Sequence, residues 1–144
     1  KIHALGFAVK LDTNGCHPQA LAALLEQGLV DFVAMDIKNS PDRYSETVGI
    51  PYFDLSPVQQ SIELLQKGDI PFELRTTAVA GLHTKESFSQ IGRWLQGTPR
   101  YYIQVYRDAP DVLKKGLQAP KNEELQAFLQ AVRPYIPQAQ LRGI

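Results

Sequence analysis

Four times along this chain a short apolar run of strand character is followed by a stretch with helical spacing, and no other feature restricts its fold as severely. The runs are 7–11, 30–37, 72–79 and 101–106. Strands that lie parallel in one sheet must be joined by crossovers, and crossovers are right-handed. The alternation therefore predicts a parallel sheet with helices packed on it. Four such units make half of an eight-unit β/α barrel.

Local signals mark where the helices begin and end. Pro18 opens the first, Leu21, Leu24 and Leu25 share a face, and Gly28 stops it. Residues 39–55 hold Pro41, Gly49 and Pro51 and are expected to loop irregularly over one end. Ser56 is expected to cap the second helix, with Pro57 after it and Gln59 completing a capping box; Val58, Ile62 and Leu65 form its buried stripe and Gly68 its end. Thr84 caps the third, with Phe88, Ile91 and Leu95 inward and Gly97 as its stop. A polar segment with Pro110 and Pro120 leads to a last helix from Asn122, buried through Leu125, Phe128, Leu129 and Val132 and ended by Pro134. The expected fold class is α/β: one domain over residues 1–144, a partial (β/α) barrel of about four parallel strands with helices outside and an open polar inner face.

That inner face follows from strand alternation. Val33, Met35 and Ile37 oppose Phe32, Ala34, Asp36 and Lys38; Phe72, Leu74 and Thr76 oppose Glu73, Arg75 and Thr77. Phe7, Val9 and Leu11 likewise oppose Ala8, Lys10 and Asp12, and Tyr101, Ile103 and Val105 oppose Tyr102, Gln104 and Tyr106. A closed barrel fills its lumen with branched apolar side chains. Here the lumen side offers Lys10, Asp12, Asp36, Lys38, Glu73, Arg75 and Gln104. Burying these without water would cost several kcal/mol per unpaired ion, so a wet concavity is expected, at the carboxyl ends of the strands where such folds bind ligands. The plainer reading is that Lys10–Asp12 and Glu73–Arg75 are structural ion pairs.

Composition narrows the function classes. Fifteen basic and fifteen acidic residues give a formal net charge of zero, which supplies no electrostatic reason for nucleic-acid binding. No apolar run could span a bilayer and no secretory signal pattern appears, so a cytoplasmic protein with no membrane partner is expected. One cysteine, Cys16, excludes an internal disulfide or a cysteine-ligated cluster supplied by these residues alone. His3, His17 and His83 show no metal-ligand spacing, and His83 is expected in solvent. The chain opens Lys1-Ile2-His3-Ala4-Leu5-Gly6, which reads as a helix tail closed by glycine, and sequence preceding it is expected.

Four segments carry a resemblance. "LDTNG" (11–15), "MDIK" (35–38), "RTTAVAG" (75–81) and "QVYRD" (104–108) together resemble the radical S-adenosylmethionine activases of glycyl radical enzymes, namely those of anaerobic ribonucleotide reductase and of pyruvate formate-lyase. The resemblance implies the later part of an incomplete (β/α)6 barrel. It also implies S-adenosylmethionine bound to a [4Fe–4S] cluster, reductive cleavage of that cofactor, and hydrogen abstraction from a glycine of a partner enzyme. Asp36 and Lys38 would meet the methionine end of the cofactor, and Arg75 and Thr77 would lie near its nucleoside. Asp12 and Thr13, with the Met35 carbonyl and Asp36, would hold a monovalent cation and border the cofactor. Asp12 would then end its strand at the pocket, and Asn14-Gly15 would turn the chain away.

The family's C-x3-C-x2-C cluster motif and its Gly-Gly-Glu segment have no counterpart in these residues, and Ala80 stands where a proline is common. The expected reading is an activase fragment without activity on its own. The alternative is a non-catalytic half-barrel that binds a partner, or pairs as a homodimer, through its exposed first strand.

Overall fold

A computed structural model describes residues 1–108 and 116–143; Pro110, placed in a polar connection above, lies outside them. Five strands, β1 (Lys10–Thr13), β2 (Phe32–Asp36), β3 (Phe72–Ala78), β4 (Tyr101–Val105) and β5 (Gln140–Arg142), form one open, wholly parallel sheet in the order of the chain. The connections carry α1 (Pro18–Glu26), then α2 (Tyr44–Val48) and α3 (Ser56–Lys67), then α4 (Lys85–Trp94) and α5 (Asn122–Val132). Each crossover moves one place in the same direction, and right-handed crossovers then put the long helices on one face of the sheet. The other face is left bare of helices. This is the winding of a barrel wall, as expected, with one strand more than the alternation showed.

The helix-covered face is the core. Val33, Met35, Ile37, Leu74, Tyr101 and Ile103 point into it from the sheet and Val58, Ile62, Leu65, Phe88, Ile91, Leu125 and Val132 from the helices, each fully or almost fully buried. Burial of an aliphatic side chain of this kind contributes roughly 1.5–3 kcal/mol, so this face holds the sheet and helices together. Phe88 stacks on Phe128 at 4.7 Å between α4 and α5. Two polar groups enter this layer with partners: the Tyr101 hydroxyl donates to Thr76 Oγ1 at 2.7 Å, and the Trp94 indole to Gln59 Oε1 at 2.6 Å.

Several local expectations change. Residues 39–55 are not wholly irregular: a 3-10 turn, Pro41–Arg43, runs into α2, which ends at Gly49. Ser56 does not cap α3. It is already helical, and its N–H donates to Asp54 Oδ1 at 3.0 Å, so Asp54 supplies the capping carboxylate. Gln59 closes no capping box, because its side chain is held by Trp94 and Glu63. Thr84 does cap α4, in a reciprocal box with Ser87. The opening residues form a 3-10 turn, His3–Leu5, closed by Gly6 in the left-handed region, as the helix-tail reading expected.

Candidate functional site

The bare face carries a ladder of ions laid across the strands. Strand register sets it up: Asp12 lies beside Ala34, Ala34 beside Glu73, and Asp36 beside Arg75. Paired residues of neighbouring strands share a face, so all of these side chains stand on the side without helices. Arg75 Nε donates to Asp36 Oδ1 at 2.6 Å, and its terminal NH2 reaches over β2 to Asp12 Oδ2 at 3.0 Å. Ala34, between Asp12 and Glu73 in the register, is the small residue that β2 presents on the same face. Lys38 Nζ donates to Asp36 Oδ2 at 2.9 Å, and Lys10 Nζ stands 3.5 Å from Asp12 Oδ1.

A second knot sits lower on the same face. Arg142 of β5 holds Glu73 with two parallel hydrogen bonds of 2.8 and 2.9 Å, and its guanidinium lies 3.5 Å from the Tyr102 ring centroid. Lys10 stands 4.0 Å from Glu73 and so links the two knots. Glu73 therefore pairs with Arg142 and Lys10, and the Glu73–Arg75 pair is not formed; Lys10–Asp12 is.

These contacts set the charges. Hydrogen bonding from Arg75 is the main reason the Asp12 carboxyl lies below its ordinary value. Burial pushes the Asp36 carboxyl up, but the hydrogen bonds from Arg75 and Lys38 outweigh it and hold it low. Arg142 does the same for Glu73. All three carboxylates are thus ionised at neutral pH. They face four cations, Lys10, Lys38, Arg75 and Arg142, and the ladder carries one surplus positive charge. Lys38 keeps a side chain 42% exposed, and beside it Asp36, Thr77 and His83 border a cavity of about 190 Å³.

The loop that presents Lys38 is tied down by buried groups. Asn39 donates to Thr47 Oγ1 and to the Leu82 carbonyl, both at 2.9 Å, and its own Oδ1 accepts the Ser40 N–H at 2.8 Å. His83 is buried rather than solvated, which corrects the sequence reading. Its Nδ1 accepts the Val79 N–H at 3.1 Å, so its Nε2 carries the proton and donates to the Lys38 carbonyl at 2.8 Å. Burial pushes the imidazole below its usual value.

Of the expected site residues, Asp12, Asp36, Lys38 and Arg75 converge directly, and Thr77 joins Asp36 and Lys38 at the cavity. Thr13 stands apart, its hydroxyl accepting the Gly15 N–H at 3.1 Å in the turn after β1. Met35 turns its side chain to the core, against Gly15, whose φ of +75° makes the turn. Ser61 Oγ donates to the Gly15 carbonyl at 2.8 Å and fastens that turn to α3. Sequence reasoning did not single out Ala34, Asn39 or Arg142. Arg142 had one usable signal: the short alternation Gln140-Leu141-Arg142 before Gly143.

The donor sets can be tested against the implied groups. A net positive, partly wet ladder with an exposed ammonium suits the carboxylate end of an amino-acid-bearing cofactor. An iron–sulfur cluster does not suit these residues, because one cysteine cannot hold it. Among the described residues no group of three or more His, Cys, Asp or Glu could hold a metal ion.

No family model matches the chain. A protein of Methanocaldococcus jannaschii, named for glycyl-radical enzyme activation, is 33% identical over 144 residues. That alignment covers 96% of this chain and 60% of the relative, so the chain spans only part of the relative's length. A domain of pyruvate-formate lyase-activating enzyme from Bacteroides vulgatus superposes with a TM-score of 0.75 at 16% identity, covering 98% of this chain and 84% of that one. A radical SAM methyltransferase from Sphaerobacter thermophilus gives 0.70 at 16% identity, covering 96% of this chain and 42% of that one. At such identities the two structures speak for the fold alone, and the archaeal relative favours the activase reading over an unrelated binding module. Nearly the whole chain is thus similar in sequence to part of a protein named for glycyl-radical enzyme activation, and it shares the fold of a domain of pyruvate-formate lyase-activating enzyme.

Proposed function

We propose that these residues form the cofactor-binding wall of an activase that cleaves S-adenosylmethionine reductively and takes a hydrogen from a glycine of a partner enzyme. The partner class is anaerobic ribonucleotide reductase or a pyruvate formate-lyase-like enzyme. The observation that carries this reading is the convergence of Asp12, Asp36, Lys38 and Arg75 at the strand ends, in a ladder that with Lys10, Glu73 and Arg142 carries one positive charge in surplus. Lys38 receives the methionine carboxylate of the cofactor, and Asp36, held below its ordinary protonation range, orients Lys38. Thr77, exposed at the rim of the cavity, and Arg75 face the nucleoside, while Asp12 and Thr13 border the methionine end. When bound to a [4Fe–4S] cluster held by cysteines outside these residues, the cofactor supplies one-electron radical chemistry. The exposed β1 edge is the side on which a further strand, or a second copy in a homodimer, would pair.

The test is a titration of isotope-labelled protein with S-adenosylmethionine followed by amide NMR shifts. Binding is expected to be weak without the cluster, with shifts confined to Thr13, Lys38, Thr77 and their neighbours and removed by Lys38→Ala. Shifts concentrated instead in the groove between α1 and α3, around Ala22 and Leu64, or none at millimolar cofactor, would overturn the assignment.

A further inference from the structure

We infer that Arg75 is the resident cation of this site and stands where a monovalent metal ion was expected. The expected ion would be held by Asp12, Thr13, Asp36 and the Met35 carbonyl. Every carboxylate oxygen of that set already faces a nitrogen. Asp12 Oδ1 faces Lys10 at 3.5 Å and Oδ2 faces Arg75 at 3.0 Å; Asp36 Oδ1 faces Arg75 at 2.6 Å and Oδ2 faces Lys38 at 2.9 Å. The Thr13 hydroxyl already accepts the Gly15 N–H in the turn after β1. Arg75 is no surface arginine that strays into the site. Its side chain is only 15% exposed, and it spans three strands.

Charge leads to the same conclusion. Four cations already face three carboxylates, so a further monovalent cation would enter against a net positive field, whereas an anion would complete it. A guanidinium stays charged at every working pH and forks between two carboxylates in fixed geometry, so it can do permanently what an exchangeable ion does by mass action. A ligand carboxylate would then meet Lys38 without a metal bridge. This inference concerns the protein without ligand and does not rest on the identity of the cofactor.

The experiment compares melting temperatures in potassium, sodium and tetramethylammonium chloride at equal ionic strength. Tetramethylammonium screens charge but cannot enter an oxygen-lined site. The unaltered protein is expected to melt at the same temperature in all three. Arg75→Ala frees Asp12 and Asp36 and is expected to melt lower in tetramethylammonium, then recover by on the order of 3 °C in potassium or sodium once the salt exceeds the dissociation constant about tenfold. Selective stabilisation of the unaltered protein by either metal ion overturns the inference, and so does an Arg75→Ala variant with no selectivity. Should Arg75→Ala fail to fold, Arg75→Gln replaces it. Thallium-205 NMR of the unaltered protein gives an independent measurement: no bound resonance is expected, and a bound one would refute the assignment.

Discussion

His83 shows how much one buried ring can hold in place. Its two nitrogens join the end of β3 to the carbonyl of Lys38, and so position the backbone from which the Lys38 ammonium reaches Asp36. Burial lowers its folded-state pKa below the ordinary 6.5, against the two backbone hydrogen bonds that raise it. The unfolded chain therefore binds a proton first as pH falls. The stabilisation is complete above 6.5 and is lost as pH drops through the lower folded value. His83→Gln should cost about 1–3 kcal/mol at neutral pH through unsatisfied backbone groups, and should flatten the fall in urea midpoint between pH 7 and 5. Parallel pH curves for the two proteins would exclude His83 as the source. A second prediction concerns Ala34. Ala34→Leu puts a bulky side chain beside Asp12 on the same face, so the Asp12 carboxyl should titrate nearer its ordinary value while Asp36 changes less, as carbon-13 NMR of the carboxyls would show. Asp36 and Arg75 were legible beforehand because strand alternation puts them on one face. His83 was not, because its partner lies 45 residues away and no local pattern marks such a pairing.

At the scale of elements, caps and close approaches decide more than hydrophobic spacing alone. Asp54→Ala should destabilise α3 by about 1 kcal/mol, whereas Ser56→Ala should be nearly neutral, since the carboxylate and not the hydroxyl meets the helix N-terminus. Thermal melts of the two variants side by side check this, and the reverse order would restore the capping expected from sequence. Gly92 lets α4 lie against the end of α5: a methyl group there would meet the Tyr135 ring at 2.8 Å and Val132 backbone at 3.3 Å. Gly92→Ala should therefore cost about 1–3 kcal/mol by forcing the helix pair apart. The short strand β5 was missed because its one signal, the alternation Gln140-Leu141-Arg142, is only three residues long. Its place depends on Arg142, which grips Glu73 far earlier in the chain.

For the whole molecule, the monotonic strand order leaves one face of the sheet without helices and two open edges, β1 and β5, among the described residues. Exposed Ile2, Leu5 and Phe7 lie just ahead of the β1 edge. No helix among the described residues is long and apolar enough to cross a membrane. Reconstituting these 144 residues with iron and sulfide should give no cluster absorbance and no stoichiometric iron, because Cys16 alone cannot ligate one. A stable cluster at stoichiometric iron would show that the cofactor can be assembled in another way, and the half-barrel would then need a different account of its chemistry.

The sequence by itself determined the parallel α/β wall, its greasy and polar faces, and the presence of Asp36, Lys38 and Arg75 on the polar face, because periodicity within a strand is a local property. Only the tertiary structure decided which ion pairs with which, that Arg75 crosses β2 to Asp12, that Arg142 rather than Arg75 holds Glu73, and that His83 and Asn39 anchor the site loop. Those choices depend on distances between segments remote in the chain, such as Arg75 and Asp12, which stand 63 residues apart in sequence.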